Sequence, residues 1–357
     1  MLKIAFVLPG YSKSPIGGYK MVFEYANRLA DRNHNVSIAF DCASGAQRHP
    51  LPGFLKKLCY QYLVWHYPTW FSLNKRIHKI CAYTGINDQE IPDGDIICAT
   101  SVDTANPVSK LNSSKGKKVY FIQDFENWGG WTDEAVKDTY RLGMTNIVIA
   151  KWLQQLVKES GASSIVIPNG IDFTAFNVEI PIEKRTQYKI AMLYHVKPHK
   201  GSSYGIKALE RLKEKYQDLQ ATVFGVPDRP SELPSWVQYV QDASQEQLRQ
   251  IYNDAQIYLC PSIKEGFGLT GAEAMACGAA YVSSDYGGVH EYAVDGRNVL
   301  LSPPKDVNGL VEHVSYLFDH DEERIKLAQQ GYEDIQKLDW KNSVDRLEKV
   351  LCSLTND

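Results

Sequence analysis

The sequence predicts an α/β protein made of two Rossmann-like domains, each with a parallel β-sheet. A chain of 357 residues is long for one hydrophobic core and suits two domains. Short apolar runs, typical of buried parallel strands, alternate with segments of helical periodicity in both halves. The two series are separated by the turn-forming pair Asn169-Gly170 and a stretch without periodicity. We therefore predict a first domain over residues 1–172, a linker over 173–188 and a second domain over 189–339.

Composition excludes several classes of protein. The net charge is -3, whereas a nucleic-acid-binding protein normally carries a basic excess, so we expect no nucleic-acid partner. The seven cysteines are scattered and form no Cys-x-x-Cys pair, which indicates free thiols in a reducing cytosol. We find neither a signal-peptide pattern nor an apolar run of the ~20 residues that a membrane-spanning helix needs. We therefore predict a cytoplasmic protein.

Residues 261–278 carry the strongest chemical pattern. A predicted strand over 257–260 leads into a loop with Gly266 and Gly268, and a predicted helix over 269–277 ends at Gly278. The glycines let the backbone approach a ligand, while the N–H groups and dipole of the first helical turn attract anions. This strand–loop–helix corner is a ready phosphate site.

Two carboxylates, Glu265 and Glu273, bracket this loop. Carboxylates repel a phosphate group, but they accept hydrogen bonds from sugar hydroxyls that lie on either side of that phosphate. The pattern therefore predicts a ligand with an anion in its middle and hydroxyls at both ends, which describes a nucleoside-diphosphate sugar.

The two glutamates are separated by seven residues in a Glu-Gly-Phe-Gly-Leu setting that continues as Glu-Ala-Met-Ala-Cys-Gly. This arrangement resembles the retaining nucleotide-sugar glycosyltransferases of family 4, within glycosyl transferases group 1. The resemblance implies the GT-B fold, with two domains facing each other across a cleft, the donor mainly on the second and the acceptor on the first. It also implies that a last helix, over 340–357, completes the first domain.

The loop over 195–201 matches the family in part. Lys200-Gly201 fits its Lys-Gly pair, but His195 stands where the family usually has Arg. A lysine at a strand end would hold a diphosphate as a point charge. His195, charged only in part near neutrality, would assist it, and Lys197 is a further candidate. The alternative for Lys200 is a solvated loop lysine.

The resemblance assigns roles to individual residues. Lys200, His195 and Glu265 are the expected catalytic residues: the cations stabilise the departing diphosphate and Glu265 binds sugar hydroxyls. Glu273 would bind the ribose diol, and no metal cofactor is expected, since Lys200 and the helix end supply the positive charge. The expected donor-binding residues are Gly266, Phe267, Gly268, Leu269, Thr270, Glu273, Gly225 and Val240.

Four residues of the first domain are expected in the cleft. Gly17 and Gly18 resemble the glycines that face the donor diphosphate and the acceptor, although a plain βα turn explains them too. Gln123 and Asp124 follow a predicted strand, where ligands bind in open α/β sheets. Their surroundings resemble a rhamnosyltransferase branch, which points to a deoxysugar donor. The alternative is that Asp124 or Glu126 caps the next helix.

Residues 42–87 contain no Asp or Glu, while Lys, Arg and aromatic residues alternate there, most densely over 51–80. Two interpretations remain open. The stretch is either a surface that docks on the inner face of the plasma membrane, next to a lipid-linked acceptor, or a pair of helices with a buried aromatic face. Asp93-Gly-Asp95 mimics a metal-binding motif, but it precedes a strand, so we predict a turn.

We therefore expect sugar transfer from a nucleoside-diphosphate sugar to a saccharide or lipid-linked acceptor, in surface polysaccharide or glycoconjugate synthesis. A GT-B epimerase or phosphorylase would use the same donor site, and a non-catalytic sugar-nucleotide-binding module would share its residues. A nicotinamide-dependent oxidoreductase also has Rossmann-like halves, but the first βα loop of each half lacks Gly-x-Gly-x-x-Gly here.

Overall fold

A computed structural model describes residues 1–48 and 51–355. The chain divides into two compact units, one made of residues 1–169 and 341–357 and the other of residues 170–340. Each unit has one parallel sheet, with helices between most of its successive strands. The predicted α/β class with two Rossmann-like domains is confirmed.

The N-terminal unit holds a seven-stranded sheet among the described residues, in the order β3-β2-β1-β4-β5-β6-β7. Its strands are β1 (Lys3–Leu8), β2 (Asn35–Asp41), β3 (His78–Ala82), β4 (Ile96–Ala99), β5 (Lys117–Ile122), β6 (Thr145–Val148) and β7 (Ser164–Val166). Its helices from this part of the chain are α1 (Gly17–Asp31), α2 (Ala43–Arg48), α3 (Gly53–His66), α4 (Val102–Ser109), α5 (Asp133–Tyr140) and α6 (Lys151–Glu159).

The second unit holds a six-stranded sheet in the order β10-β9-β8-β11-β12-β13. Its strands are β8 (Lys189–Leu193), β9 (Gln220–Gly225), β10 (Gln238–Gln241), β11 (Ile257–Cys260), β12 (Ala280–Ser284) and β13 (Leu300–Ser302). Its helices are α7 (Ser202–Lys215), α8 (Gln245–Asp254), α9 (Leu269–Ala276), α10 (Val307–Asp319) and α11 (Asp321–Ile335). The last helix of the chain is α12 (Trp340–Thr355).

The strand order determines where each unit can bind a ligand. In both sheets the order reverses once, between β1 and β4 in the N-terminal unit and between β8 and β11 in the second. Loops that leave two such strands diverge to opposite faces of the sheet and leave a crevice beyond the strand ends. The loop after β8 contains His195 and Lys200 and the loop after β11 contains Glu265, so all three predicted catalytic residues lie at this point.

Helix α12 packs on the N-terminal unit through polar contacts. Glu348 bonds with the imidazole of His34 through Oε1 at 2.9 Å and with Arg32 through Oε2 at 2.5 Å. Arg32 also pairs with Asp345 at 2.5 Å, and the Ser343 hydroxyl donates to the carbonyl of Pro168 at 2.7 Å. The hydrogen bond from His34, followed by that from Arg32, lowers the carboxyl pKa of Glu348. The last helix is thus an integral part of the first unit.

Residues 173–188, predicted as a linker, instead form part of the second unit. Phe176 and Ile182 are buried, and Arg185 donates to the carbonyls of Ala255 at 2.8 Å and Tyr252 at 3.2 Å. Burial lowers the pKa of Arg185 to about 10. The segment lacks periodicity because it is irregular, and not because it lies outside a core.

No turn forms at Asp93-Gly-Asp95, contrary to the prediction: the segment is irregular, and the N–H groups of Gly94 and Asp95 donate to the distant carbonyls of Ser114 and Lys3. Asp93 pairs with Lys115 at 2.8 Å, and Asp95 accepts a hydrogen bond from the backbone N–H of Lys3 at 2.7 Å. Within the described part of the chain, no cluster of His, Cys, Asp and Glu could hold a metal ion. Among the same residues, no helix combines the length and apolarity needed to cross a bilayer.

Candidate active site

The site in the second unit is built from two loops that are fastened to each other. The backbone N–H groups of Ile263 and Lys264, after β11, donate to the carbonyl of His199, after β8, at 2.8 and 3.2 Å. Gly201 makes this approach possible, because its φ is +66° and a Cβ there would lie 1.9 Å from the carbonyl oxygen of Pro261. The Lys-Gly pair noted in the sequence therefore has a physical reason, since any larger residue would push the loops apart.

The structure brings Lys200 and Glu265 together. Their Nζ and Oε1 atoms lie 3.4 Å apart, and the Ser262 hydroxyl donates to the same carboxylate oxygen at 2.5 Å. The Glu265 side chain is 8% exposed and that of Lys200 is 24% exposed. Glu265 is thus fixed by two partners, while the Lys200 side chain stays partly exposed.

His195 differs from the expectation of a partly charged side chain. Burial, followed by the positive charges of Lys200 and Lys197, lowers its pKa to about 4. Its imidazole is therefore neutral at pH 7. Its Nδ1 accepts a hydrogen bond from the backbone N–H of Lys197 at 3.0 Å, which leaves the single ring proton on Nε2. His195 can supply a hydrogen bond to an anion, but no positive charge.

The N-terminus of α9 forms the other side of the site. Gly268 is its N-cap residue with φ +85°, and its carbonyl accepts from the N–H groups of Gly271 at 3.1 Å and Ala272 at 3.3 Å. In the described chain, the N–H groups of residues 267–270 donate to no protein acceptor. These four donors and the helix dipole make the start of α9, which follows Glu265 in the chain, electropositive.

The remaining donor-side predictions fall on the same unit. Glu273 is buried within α9, and Gly225 ends β9, where a Cβ would lie 2.6 Å from the carbonyl oxygen of Tyr194. Val240 lies in the edge strand β10, opposite Phe224 in the parallel register. Their proposed contacts with ribose and base remain predictions.

In the N-terminal unit, Gly17 and Gly18 begin α1, and Gly18 lies against Gln123: a Cβ on Gly18 would meet its side-chain nitrogen at 3.4 Å. The structure thus brings these candidates to one edge of the sheet. Asp124 accepts from the N–H of Phe125 at 2.8 Å.

The alternative that Asp124 or Glu126 caps the next helix is wrong. The N-cap of α5 is Thr132, whose hydroxyl accepts from the N–H of Ala135 at 3.2 Å. Glu126 instead accepts from the N–H of Val102, at the start of α4, and so joins two loops at the carboxyl end of the sheet.

Sequence reasoning missed three residues beneath the α9 loop, the tyrosines Tyr281, Tyr286 and Tyr292. All three are buried, and their hydroxyls form a connected chain that ends on the carbonyl of Gly268. Buried tyrosines are ordinary core residues, and nothing in their spacing shows that they meet. Gly268 and Gly271, which leave room for these tyrosine hydroxyls, are the sequence feature that hints at tight packing beneath the loop.

Known glycosyltransferases resemble this chain in sequence. Residues 175–334 match the family model "Glycosyl transferases group 1". The D-inositol 3-phosphate glycosyltransferase of Corynebacterium efficiens is 26% identical over 181 residues, 46% of this chain and 43% of that protein. The lipopolysaccharide 1,2-N-acetylglucosaminetransferase of Salmonella typhimurium is 25% identical over 233 residues, 57% of this chain and 61% of that protein. The matches therefore span about half the length of these relatives.

Solved structures resemble the whole chain. Anabaena HepE in complex with UDP-glucose has a TM-score of 0.74 at 17% identity and covers 99% of this chain and 100% of its own. Sucrose-phosphate synthase from Thermosynechococcus elongatus has a TM-score of 0.71 at 16% identity, with 99% of each chain covered. The chain therefore has the GT-B fold, and its residues 175–334 match the family model of glycosyl transferases group 1.

Proposed function

We propose that this protein is a retaining family 4 glycosyltransferase that moves a sugar from a nucleoside-diphosphate sugar to a hydroxyl of a saccharide or lipid-linked acceptor. The observation that carries the proposal is the Lys200–Glu265 pair, 3.4 Å apart, next to the N–H donors of residues 267–270. A cation, an amide-lined helix end and a buried carboxylate together match a diphosphate with a sugar attached. HepE, of the same fold, was crystallised with UDP-glucose, which supports this ligand class.

The chemistry follows from where charge develops. The acceptor hydroxyl oxygen bonds to the anomeric carbon while the bond from that carbon to the β-phosphate oxygen breaks. Negative charge grows on the leaving phosphate, where Lys200 and the N–H groups of residues 267–270 stabilise it. The departing phosphate takes the acceptor's proton on the same face of the sugar, which retains the configuration.

The carboxylates and the imidazole have different tasks. Glu265, held by Ser262 and Lys200, accepts hydrogen bonds from sugar hydroxyls, and Glu273 accepts from the ribose diol. His195 donates from Nε2 to a phosphate oxygen as a neutral group. Because Lys200 and the α9 end already supply positive charge to the diphosphate, the proposed reaction needs no metal ion.

The acceptor side of the proposal rests on the N-terminal unit. Gly17, Gly18, Gln123 and Asp124 lie at the carboxyl ends of β1 and β5, which is where open α/β sheets bind ligands. We assign the acceptor to this unit, the donor to the second unit, and the reaction to surface polysaccharide or glycoconjugate synthesis. The deoxysugar donor stays a prediction.

A surface of helix α3 supports the predicted membrane contact. Phe54 and Trp65 are 70% and 69% exposed, and Leu58 and Tyr62, at helical spacing between them, are exposed as well. The alternative of a buried aromatic face therefore holds for Tyr60 but not for these four side chains. Exposed aromatic and leucine side chains on a helix without acidic residues suit the interface of an anionic membrane.

Vesicle co-sedimentation tests this membrane contact. We expect binding to phosphatidylglycerol vesicles that exceeds binding to phosphatidylcholine vesicles and is weakened about tenfold or more in the double variant Phe54→Ser/Trp65→Ser. Tyr316→Ser, which changes an exposed aromatic residue of the second unit, is the control. Equal binding to both vesicles would contradict the proposal, as would a variant that sediments like the wild type.

The donor site is tested by thermal-shift measurements with UDP, GDP, ADP and dTDP. A ligand that binds only the folded state stabilises it by about 2.7 kcal/mol at 100 times its dissociation constant. We expect one nucleotide to raise Tm in the wild type and to lose most of this effect in Lys200→Ala. No shift with any of the four contradicts the proposal. Donor hydrolysis or epimerisation that needs no acceptor would instead identify an epimerase or phosphorylase.

A further inference from the structure

Three buried tyrosines form a hydrogen-bonded chain beneath the α9 loop. The hydroxyl of Tyr281 lies 2.8 Å from that of Tyr286, which lies 2.9 Å from that of Tyr292. The hydroxyl of Tyr292 donates to the carbonyl of Gly268 at 2.7 Å. This tyrosine chain, Tyr281–Tyr286–Tyr292, belongs entirely to the second unit.

Proton counting gives the chain a direction. Each hydroxyl has one proton, and that of Tyr292 is used on the Gly268 carbonyl. Tyr286 must therefore donate to Tyr292, and Tyr281 to Tyr286. Burial raises the pKa of all three hydroxyls, so they stay protonated and keep donating across the physiological pH range.

The loop backbone rests directly on these hydroxyls. A Cβ on Gly268 would lie 2.0 Å from the hydroxyl oxygen of Tyr286, and one on Gly271 would lie 2.4 Å from that of Tyr281. Both glycines thus leave room for the tyrosine chain, and the fit leaves no space for a side chain at either position.

We propose that the tyrosine chain is a positioning device that aims the backbone donors of the α9 end at the donor diphosphate. In a planar trans peptide the C=O and N–H groups point in opposite directions. By holding the carbonyl of Gly268 inward, Tyr292 turns the N–H of Leu269 outward, toward the anion site. The tyrosines are positioning residues and do not touch the substrate. The assignment of the ligand rests on the proposed function, but the orientation of the peptide does not.

Hydrogen exchange tests the orientation without any ligand. The amides of Gly271 and Ala272 donate to the Gly268 carbonyl, so they report whether it is held in place. We expect their exchange to be about tenfold faster in Tyr292→Phe, less affected in Tyr286→Phe and least in Tyr281→Phe. Tyr252→Phe is the matched control, because the Tyr252 hydroxyl is equally buried and has no protein partner within the described residues.

Two results would overturn the proposal. One is unchanged exchange of Gly271 and Ala272 in Tyr292→Phe. The other is uniformly faster exchange over the whole second unit, including strand β8, which would indicate a loss of stability without a local role.

A second measurement uses inorganic pyrophosphate as the probe. If the peptide is aimed at a diphosphate, Tyr292→Phe should weaken pyrophosphate binding about tenfold by calorimetry, while Tyr252→Phe binds like the wild type. Equal affinity in Tyr292→Phe and wild type refutes the positioning role. If the wild type binds neither pyrophosphate nor any nucleoside diphosphate, the proposed function is refuted. In that case the hydrogen-exchange result still decides whether the tyrosine chain orients the loop.

Discussion

Two glycine-containing loops each lead into a helix, and they are built differently. In the second unit, Gly268 has a left-handed backbone and lies against Tyr286, so the start of α9 is held from below. In the N-terminal unit, Gly17 and the preceding Ile16 are exposed, and Gly18 makes an ordinary contact with Gln123. The loop before α9 is therefore held in place by the core of its own unit, whereas the loop before α1 has few such contacts at its glycines.

The largest expected effect comes from removing the charges beside the fixed loop. Lys200→Ala and Glu265→Ala should each reduce turnover about 10²-fold or more, because each removes several kcal/mol of stabilisation at the reacting centre. Steady-state kinetics would measure this turnover, with a sugar donor that carries the nucleoside diphosphate identified in the thermal-shift screen. Wild-type-like turnover in either variant would refute the assigned roles.

Adding one methyl group to each loop tests the comparison directly. Gly268→Ala should lower the free energy of unfolding by at least about 2 kcal/mol, because a left-handed residue gains strain and its Cβ meets Tyr286. Gly18→Ala should change it by less than about 1 kcal/mol, since its Cβ has room within a helix. Urea unfolding measures both, and similar losses in the two variants would show that the loops are equally constrained.

Glu273→Ala should mainly weaken donor binding, by about tenfold, because the loss of hydrogen bonds to one diol is worth about 1.4 kcal/mol. Calorimetry with the preferred nucleoside diphosphate measures this affinity. Glu273→Gln is the matched control, because its side-chain amide oxygen still accepts a hydrogen bond at this position. An unchanged affinity in Glu273→Ala would contradict the ribose assignment.

The smallest expected effect is a pH dependence due to His195. Its pKa is about 4 in the folded protein and about 6.5 when unfolded, so the unfolded chain binds more protons between these values. The neutral imidazole therefore contributes fully to stability above pH 6.5, and this contribution is lost as the pH falls toward 4. With allowance for partial exposure, His195→Gln should remove about 1 kcal/mol of the stability change between pH 7 and 5. Identical pH dependence in variant and wild type would rule this out.

The sequence predicts the strand–loop–helix geometry of the second unit well because these elements are contiguous in the chain. Residues 257–278 contain the strand, the glycines and both glutamates, and Lys200-Gly201 marks the loop that contacts them. The tyrosines that support this loop from below are not predictable from the sequence. Tyr292 is separated from Gly268 by α9 and β12, so their hydrogen bond depends on the folded chain. The charge of His195 is equally hidden, since its pKa depends on burial and on the neighbouring lysines.

The same reasoning explains the missed parts of the fold. Strand β3, at a sheet edge and only partly buried, lacks the apolar run that reveals the central strands. The segment over 173–188 is irregular, so its attachment through Arg185 leaves no periodic trace. Local patterns reveal elements with a regular repeat, whereas contacts between distant irregular segments require the folded chain.

Because α12 packs on the first unit, the two units differ in how each can be expressed alone. Residues 170–340 are contiguous and can be produced as a single piece, but residues 1–169 alone would lack the acidic partners of Arg32 and His34. A self-standing version of the first half therefore calls for grafting the terminal helix onto its truncated end. During synthesis, too, the first unit can acquire α12 only after residues 170–340 of the second unit have been translated.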